Sequence, residues 1–329
     1  MPRVELHSFN TWCRTLDEAV KFLPEDSDWP HELYILLVEQ VPLRKKRIVM
    51  WTEGDTPIGV VAFVQNVVGN WEPVTQWIVP GLIGPVASTP LGDLLVRLPF
   101  RTHIAWWRMD DSIPQGGNVR EVKETPTYGM SCSTDFEAFW KQTGLLRTVR
   151  KARNRCEKLT IAINAPGAID WVIERSENHW RVVEGQPLSW QLPLKIMVAK
   201  YLEAQGKHIT LTLQDGTKFV SGEAILVHRR EMVAVHAFRD RDYDDMAVGT
   251  RSLELAFQWA RDNGLVGVDI GGGYDHYKKR WAPMGGSKAK LLISPTIPYA
   301  KFCVCTAMSS VWNTVTPYFC KVRRGLLGA

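Results

Sequence analysis

The sequence predicts an α+β fold in which two similar units follow one another. Three observations predict it: the composition, an order of elements that occurs twice, and a helical segment between the two occurrences. The chain has 329 residues, 45% of them hydrophobic and 23% charged, which is typical of a globular protein of about two domains. In each half, a strand, turn, strand, strand, loop, helix and strand follow in that order, so we interpret the chain as two copies of one unit.

The second half shows the repeated order most clearly. Strands are predicted at residues 209–214, 219–227, 232–238 and 266–270, and a helix at residues 250–263. The first strand alternates apolar and polar residues, and Asp215-Gly216 after it is typical of a hairpin turn. Gly264 stands where a helix commonly ends.

The first half repeats this order with little residue identity. Its predicted elements are strands at residues 47–52, 58–65 and 103–108, an extended segment at 77–86 and a short helix at 91–98. We therefore expect an N-terminal domain over residues 1–130, a C-terminal domain over residues 131–295, and an extension over residues 296–329. The first domain lacks the glycines and acid of the second and is expected to be non-catalytic.

A basic helical region connects the two copies. Ser133, Thr134 and Asp135 offer an N-cap for a helix at residues 136–142. Apolar residues then recur at a helical period over residues 145–159 and form one stripe. The rest of that helix is strongly basic, with Arg147, Arg150, Lys151, Arg153, Arg155 and Lys158. This surface is either solvated, or contacts an anionic substrate, or follows RNA phosphates. A further helix is predicted at residues 192–204.

Charge, cysteines and histidines exclude several classes of protein. A net charge of +5 is too small to indicate nucleic acid by itself, and no DNA partner is expected. The six cysteines form no CxxC pair and the eight histidines no HExxH motif, so we expect reduced thiols, no metal and a cytoplasmic protein without a secretory signal. Residues 302–320 are apolar; a packed terminal segment is the favoured interpretation, and an interfacial membrane anchor is the alternative.

The loop at residues 239–250 leads directly into the predicted helix. The first N–H groups of a helix have no partner within it and carry partial positive charge, which favours a phosphate. Gly249 would allow a ligand to approach the backbone, and Arg251 could add a charged contact. An ordinary surface loop is the alternative interpretation.

A second candidate segment runs over residues 269–281. Asp269 ends a buried strand, three glycines follow, and then Tyr277, Lys278 and Arg280. This set of residues is unusual for a purely structural segment, although a flexible loop before a basic helix would also fit.

Taken together in order, these motifs resemble the CelD-type acyltransferase branch of the GNAT superfamily, which is related to the Fem-type peptidyltransferases. The basic helix corresponds to the family's Arg/Lys-rich segment, and Gln214-Asp215-Gly216 to the start of its strand pair. Asp242-Tyr243 with Ala247-Val248-Gly249 corresponds to its "Y…SPG" element, with Ala-Val in place of Ser-Pro. Asp269 with the three glycines, then Tyr277-Lys278, complete the set, and the resemblance covers roughly residues 136–283.

The resemblance implies tandem GNAT-like domains, each a mixed central sheet flanked by helices. In such a fold two parallel strands separate, here residues 232–238 and 266–270, and the arm of an acyl carrier lies between them. Acyl-CoA is the expected donor substrate, with its pyrophosphate at the helix start. The implied cofactor-binding residues are Ala237, Val248, Gly249, Thr250 and Arg251.

The resemblance also implies transfer of the acyl group to an amine, which must lose a proton. His236 and Asp269 are the candidate bases, and Tyr277 could protonate the leaving thiolate. Each has a structural alternative: His236 as a hydrogen-bonded core histidine, Asp269 as a backbone cap and Tyr277 as a group that orients the substrate. The candidate substrate-binding residues are Lys278, Gly272, Gly273 and Trp281.

Two alternatives to an acyl-CoA enzyme remain open at this stage. In a Fem-like enzyme the donor would be an aminoacyl-tRNA, and the basic helix would contact the tRNA. In a degenerate GNAT pair the chain would be a binding scaffold. The acceptor is expected to be a small-molecule or peptide amine.

Overall fold

The computed structural model describes residues 3–8, 46–53, 55–65, 69–74, 98, 102–108, 119–184, 192–228, 230–272 and 276–293. These residues divide into two compact units. One contains the first five strands, and the other is built from Thr125–His179 and Leu192–Lys288. The expected domain boundaries and the tandem arrangement stay predictions, and the extension over residues 296–329 lies outside the described residues.

The first unit contains one mixed sheet. Its strands are β1 Arg3–Ser8, β2 Lys46–Glu53, β3 Thr56–Gln65, β4 Trp71–Pro73 and β5 Thr102–Arg108, in that order across the sheet. Neighbouring strands are antiparallel except β4 and β5, which are parallel. The predicted strands at 47–52, 58–65 and 103–108 are confirmed. The predicted elements at 77–86 and 91–98 lie outside the described residues, apart from Leu98.

The second unit alternates helices and strands along the chain. Its elements are β6 Val119–Ser131, α1 Phe136–Gln142, α2 Leu146–Arg155, β7 Thr160–Ile163, α3 Ala168–Glu184, α4 Leu192–Ala204, β8 His208–Asp215, β9 Lys218–His228, β10 Glu231–Arg239, a 3-10 helix Arg241–Met246, α5 Val248–Asp262, β11 Gly267–Gly272, α6 Lys278–Trp281 and β12 Met284–Ile293. The strands and helices predicted from the sequence are confirmed here. The sequence did not predict β6, β7, α3, the 3-10 helix or β12.

The sheet of the second unit has the order β12-β6-β11-β10-β9-β8-β7. Strands β7, β8, β9 and β10 form an antiparallel series, β11 pairs with β10 in parallel, and β6 pairs with β11 antiparallel. The crossover from β10 to its parallel neighbour β11 is α5, as parallel pairing requires.

Helices cover both faces of this sheet. On one face α1, α2 and α5 pack against the strands around Phe136, Val149 and Phe257. On the other face α3 approaches β9 closely at Gly222, which has no side chain to prevent it. A Cβ at this position would lie only 2.5 Å from the Val172 side chain. Helix α4 lies on that second face as well, since Thr210 of β8 donates to Glu203. The two faces are called the α5 face and the α3/α4 face below.

An aromatic cluster forms the core of the α5 face. Phe136, Trp140, Phe257 and Trp281 stack or meet edge to face at centroid distances of 5.2–5.8 Å. The indole N–H of Trp140 donates to the Trp281 carbonyl at 3.1 Å, which satisfies the polar atom that burial would otherwise leave unpaired. The cluster thereby fixes α1, α5 and α6 against one another.

Helix α5 begins two residues before the predicted start and ends where the sequence indicates. Gly264 has a φ of +69°, donates to the Arg261 carbonyl, and is followed by a bond from Leu265 N–H to the Ala260 carbonyl. This is the Schellman arrangement that a glycine after a helix predicts. The end of α5 and the start of β11 are therefore both set locally.

Candidate functional site

Strands β10 and β11 are paired over only three residues each. Their parallel register joins Glu231 to Gly267 and continues to Val233 and Asp269, where it ends. The remaining residues of β10, as far as Arg239, continue to pair with β9 on the other side. The pairing between these two parallel strands therefore ends at the Val233–Asp269 pair, although the Ala234 carbonyl still lies 4.0 Å from the position of a Cβ on Gly271. The predicted gap between the strands stays a prediction.

A β-bulge in β10 decides which way its side chains point beyond that pair. The register with β9 shifts between Ala234 and His236, so Val235 is the extra residue. Ala234 packs on the α5 face, whereas His236 lies near Glu177 of α3 on the opposite face. Strict alternation would have placed His236 on the face of Ala234, so the bulge redirects the imidazole.

Asp269 lies on the same face as His236. Its neighbours Val268 and Ile270 are buried in the cluster of the α5 face, so alternation directs Asp269 to the α3/α4 face. The carboxylate accepts the Gly271 N–H at 2.7 Å, a turn-like contact that supports the positive φ of +81° at Gly271. The two predicted bases thus lie on the two separating strands and face the same side of the sheet.

Two charged side chains from the helices accompany His236. Glu177 of α3 accepts an ion pair from Lys195 of α4 at 2.6 Å, and its Oε1 lies 3.7 Å from His236 Nδ1. Burial lowers the pKa of His236 to about 3, and the Lys195 ammonium acts in the same direction. His236 is therefore neutral at pH 7 and can accept a hydrogen bond.

A second buried histidine lies on this face. Burial lowers the pKa of His208 to about 3, with a further contribution from His236. His208 Nδ1 is buried and has no hydrogen-bond partner among the described residues. Two neutral imidazoles thus occupy the α3/α4 face of strands β8 and β10, which sequence reasoning did not recognise as a pair because His208 precedes His236 by 28 residues.

The remaining candidate site residues, at the end of β11 and in the segment after it, differ from one another in burial and in surroundings. Tyr277 is 54% exposed, whereas Trp281 is buried in the aromatic cluster. Lys278 is also buried, with its ammonium 3.9 Å from the position of a Cβ on Gly271. Gly272 pairs with Thr127 of β6, and Gly273 lies outside the described residues.

These placements affect the roles predicted for that segment. Trp281 contacts Trp140 and Phe257, so its position is explained by the core and gives no support to a substrate contact. Lys278 lies beside the Gly271 backbone, next to the end of the gap, which is compatible with an anionic ligand group there. The roles of Tyr277, Lys278, Gly272 and Gly273 stay predictions.

The start of α5 is open to an anion on its backbone but partly covered by an arginine. Ala247 has a left-handed φ of +57°, and no side chain caps the helix. Helix geometry leaves the N–H groups of Val248, Gly249 and Thr250 without an intrahelical acceptor. The Cβ side of Gly249 is occupied by the stem of Arg239, whose guanidinium pairs with Asp244 at 3.0 Å.

Arg251 is engaged elsewhere. Its guanidinium donates to Glu254 at 2.6 Å, and Glu254 is fully buried. Arg153 of α2 also donates to Glu254 and pairs with Glu137 at 2.7 Å. A direct contact between Arg251 and a phosphate would have to share or break this ion pair. Arg239, which sequence reasoning did not select, has its side chain half exposed at the helix start and is the better placed arginine.

The basic helix α2 supports the loop before α5. Arg155 donates to the Asp245 carbonyl at 2.5 Å, and the Cys156 thiol lies 3.3 Å from the Met246 carbonyl. The phenol of Tyr243, in the same loop, donates to Asp215 at 2.8 Å. Three segments that carry the predicted family resemblance are therefore in direct contact around this loop.

Three cations, two on α2 and one just after it, do not take part in these contacts. Arg147, Lys151 and Lys158 are exposed, and in the described part of the chain none of them forms an ion pair or hydrogen bond. Arg147 and Lys151 are four residues apart and lie on the same side of α2, whereas Lys158 lies in the turn after the helix. Of the interpretations left open for this helix, solvation and contact with an anion remain for these three residues.

The segment that contains this site matches a known protein family. Residues 144–279 match a family model described as an acetyltransferase (GNAT) domain. The resemblance predicted from the motifs is confirmed over this segment, which includes α2, the separating strands and α5. The segment is thus similar to an acetyltransferase (GNAT) domain. No relative was found among curated proteins by sequence.

Solved structures confirm the fold. The C-terminal domain of a protein assigned as a lysylphosphatidylglycerol synthetase from Agrobacterium fabrum has a TM-score of 0.56 at 10% identity, covering 91% of this chain and 96% of that one. FemX has a TM-score of 0.53 at 9% identity, with 87% and 96% covered. L-PGS from Bacillus licheniformis has a TM-score of 0.54 at 10% identity, with 85% and 96% covered. At these identities the similarity establishes a GNAT-like α+β fold and nothing finer.

Within the ranges given above, no group of three His, Cys, Asp or Glu residues is arranged to hold a metal ion. In the same ranges no helix is long and apolar enough to cross a bilayer. Residues 302–320, the candidate interfacial anchor, lie outside the described part.

Proposed function

We propose that this protein is an N-acyltransferase that moves an acyl group from acyl-CoA to an amine by direct attack. The observation that carries the proposal is the end of the β10–β11 pairing at the Val233–Asp269 pair, beyond which β10 continues towards the uncapped start of α5. The proposal places a gap between the two strands beyond that pair. An extended acyl carrier fits such a gap, because the unpaired edge of a strand offers N–H and C=O groups to any extended chain. The family match over residues 144–279 supports the same class of reaction.

The donor would be held at two points. Its pantetheine arm would lie along β10 near Ala237, an exposed residue in the part of β10 that pairs with β9 but not with β11. Its pyrophosphate would bind the N–H groups of Val248, Gly249 and Thr250, where the helix dipole favours negative charge. The guanidinium of Arg239 would supply a charge-assisted contact at the same place.

The acceptor would approach from the α3/α4 face, where His236 and Asp269 lie. A neutral amine forms the N–C bond to the thioester carbon, and the resulting nitrogen becomes strongly acidic. The neutral imidazole of His236 or the carboxylate of Asp269 then takes its proton. The C–S bond breaks, and the thiolate receives a proton from Tyr277 or from water.

Two further groups would assist this step. The tetrahedral intermediate needs N–H donors for its oxyanion; since Gly271 N–H is already bonded to Asp269, Gly272 and Gly273 are the proposed donors. Glu177, whose carboxylate already pairs with Lys195, lies beside His236 Nδ1 and would help to position the acceptor amine, which arrives in its neutral form. A small-molecule or peptide amine satisfies these requirements, and no metal is needed for the scheme.

A Fem-like reaction with aminoacyl-tRNA is the second candidate. The observation in its favour is the set of exposed cations Arg147 and Lys151 on α2 and Lys158 just after it, which could neutralise phosphates. Binding through phosphates would weaken steeply with salt. Cytoplasmic location, which the sequence predicts, is compatible with both donors.

Calorimetric titration with coenzyme A and with tRNA, each at two salt concentrations, tests these alternatives. Coenzyme A binding accompanied by slower hydrogen exchange over residues 244–251 supports the acyl-CoA enzyme. Salt-dependent tRNA binding without coenzyme A binding supports the Fem-like reaction. Binding of neither indicates a non-catalytic scaffold. Mass spectrometry with a panel of acyl donors and amines then identifies the product.

A further inference from the structure

A buried carboxyl group in the middle of the sheet has no role in the scheme above. Glu223 lies in β9, between Leu211 of β8 and Ala237 of β10, and only 5% of its surface is exposed. It is on the α5 face, because Ser221, two residues earlier, accepts a hydrogen bond from Ser252 of α5.

No hydrogen bond or ion pair holds this carboxyl group among the described residues. Burying a polar group without a partner costs roughly 1–3 kcal/mol, and native proteins rarely tolerate it without a reason. Leucine would fill this position at no such cost. Neither oxygen of Glu223 is among the fully buried atoms that lack a partner in the described residues, so the carboxyl group reaches solvent and is accessible to a partner from outside the folded chain.

The surroundings of Glu223 show from which side a partner could arrive. Leu211, on one side, is buried in a hydrophobic cluster. Ala237, on the other side, is exposed and lies in the stretch of β10 that no longer pairs with β11. Because the side chain of Ala237 is only a methyl group, it would not block contact between Glu223 of β9 and a ligand that lies on the far side of β10.

The chemistry of the group matches an amide. Burial raises the pKa of Glu223 to about 8, so at pH 7 the group is a neutral carboxylic acid with one O–H donor and a carbonyl acceptor. An amide offers the complementary N–H and C=O. A neutral partner also avoids repulsion with the phosphates of an anionic carrier, which a carboxylate would cause.

We infer that Glu223 is a donor-binding residue, whose carboxyl group hydrogen-bonds an amide of the acyl carrier's pantetheine arm across Ala237. This inference rests on the proposed function, because it assumes that the carrier lies in the gap. It adds a contact from β9, a strand that does not border the gap. It also favours a carrier with an amide-containing arm over a nucleotide ester, which has no amide at that position.

Two ligands and three variants test the inference. Coenzyme A contains the pantetheine arm, whereas 3′,5′-ADP contains the nucleotide end alone. We expect Glu223→Leu to weaken coenzyme A binding about tenfold, the effect of a buried hydrogen bond, and to leave 3′,5′-ADP binding unchanged. Glu223→Gln, which is neutral and keeps one donor and one acceptor, should bind coenzyme A within about threefold of the wild type. Ser221→Ala, on the same strand and face, serves as the control and should not change either affinity.

Several results would overturn the inference. Equal losses for both ligands in Glu223→Leu would show that the residue acts only through the fold, as would a comparable loss in Ser221→Ala. An unchanged coenzyme A affinity in Glu223→Leu would remove the contact but leave the proposed function intact. Failure of the wild-type protein to bind either ligand would instead overturn the proposed function and, with it, this inference.

Discussion

The guanidinium of Arg153 and the carboxylate of Glu254 form an ion pair that joins helix α2 to helix α5. Glu254 is fully buried and receives two further donors, from Arg251 and Gln258. The basic helix α2 therefore has a structural role, because its Arg153 neutralises the buried carboxylate of Glu254. Glu254 belongs to α5, the helix whose start the donor would contact. Arg155 adds a second connection, to the backbone of the loop before α5.

Removal of Arg153 should therefore destabilise the second unit. In Arg153→Met the buried Glu254 keeps only Arg251 as a charged partner, and breaking a buried ion pair of this kind costs about 3 kcal/mol. We expect the free energy of unfolding, measured by urea denaturation at pH 7, to fall by about that amount. Replacing Glu254 as well, in Arg153→Met/Glu254→Met, should recover part of the loss, since no unpaired charge remains.

Arg150 provides the matched control. It pairs with Glu137 at 3.3 Å, and its side chain is 63% exposed, so Arg150→Met should cost less than about 1 kcal/mol. Similar losses in the two single variants would contradict the assignment of a structural role to the Arg153–Glu254 pair.

The sequence predicted strands β8, β9, β10 and β11 because their alternation and glycine boundaries are local signals. Gly264 is an example: a residue that ends a helix needs only its own backbone conformation to do so. The bulge at Val235 could not be predicted in this way, because a bulge is defined by the register of β10 against β9. That register places His236 on the α3/α4 face of the sheet, near Glu177 and on the same face as Asp269.

The choice of arginine at the start of α5 illustrates the same limit. Arg251 is adjacent to the helix start in sequence, which made it the natural candidate. Its guanidinium is directed to Glu254, a residue whose burial depends on the packing of α2. Arg239 is ten residues before Gly249 in the chain and reaches it only because β10 and α5 run back along one another.

Asp269→Asn should reduce turnover far more than donor binding. The Asn carbonyl can still accept the Gly271 N–H, so the backbone at the end of β11 is expected to hold its conformation. Loss of a proton acceptor typically lowers turnover about 100-fold or more. The measurement is thiol release in a single turnover with an acyl-CoA and an amine that the product screen has identified, beside calorimetry with coenzyme A.

Asp262→Asn is the matched control for this substitution, because Asp262 is exposed at the end of α5 and far along that helix from its start. It should leave both turnover and affinity unchanged. Undiminished turnover in Asp269→Asn would remove the proposed role of that carboxylate and leave His236 as the remaining candidate base.

Arg239→Met should weaken coenzyme A binding about tenfold, because a charge-assisted contact to a phosphate contributes about 1.5 kcal/mol. The side chain is 53% exposed and lies against Gly249, so its removal should hardly change the stability of the fold. Arg241→Met, at an exposed position in the following 3-10 helix, should not change the affinity. Calorimetric titration at two salt concentrations measures both variants. If Arg251→Met weakened binding as much as Arg239→Met without loss of stability, the original prediction for Arg251 would be the correct one.

The stability of the protein should depend on pH through Glu223. Burial raises the pKa of this group from 4.5 to about 8, so between these values the folded state binds a proton that the unfolded state has released. Its contribution to stability is complete below pH 4.5 and is lost as pH rises through about 8, at about 1.4 kcal/mol for each pH unit. His208 and His236 have the opposite effect at low pH, because burial lowers their pKa values to about 3. As pH falls below 6.5, the unfolded state binds protons at these histidines before the folded state does, so the protein loses stability.

The variant Glu223→Gln separates these effects, because it keeps both histidines and removes only the titrating carboxyl group. The difference in free energy of unfolding between Glu223→Gln and the wild type should increase in favour of the variant from pH 5 to pH 8 and then level off. Urea denaturation at intervals of one pH unit measures this difference directly. A difference that stays constant over the range would show that the folded and unfolded states release the Glu223 proton at the same pH, and the carboxyl group would then be solvated rather than buried beside the gap.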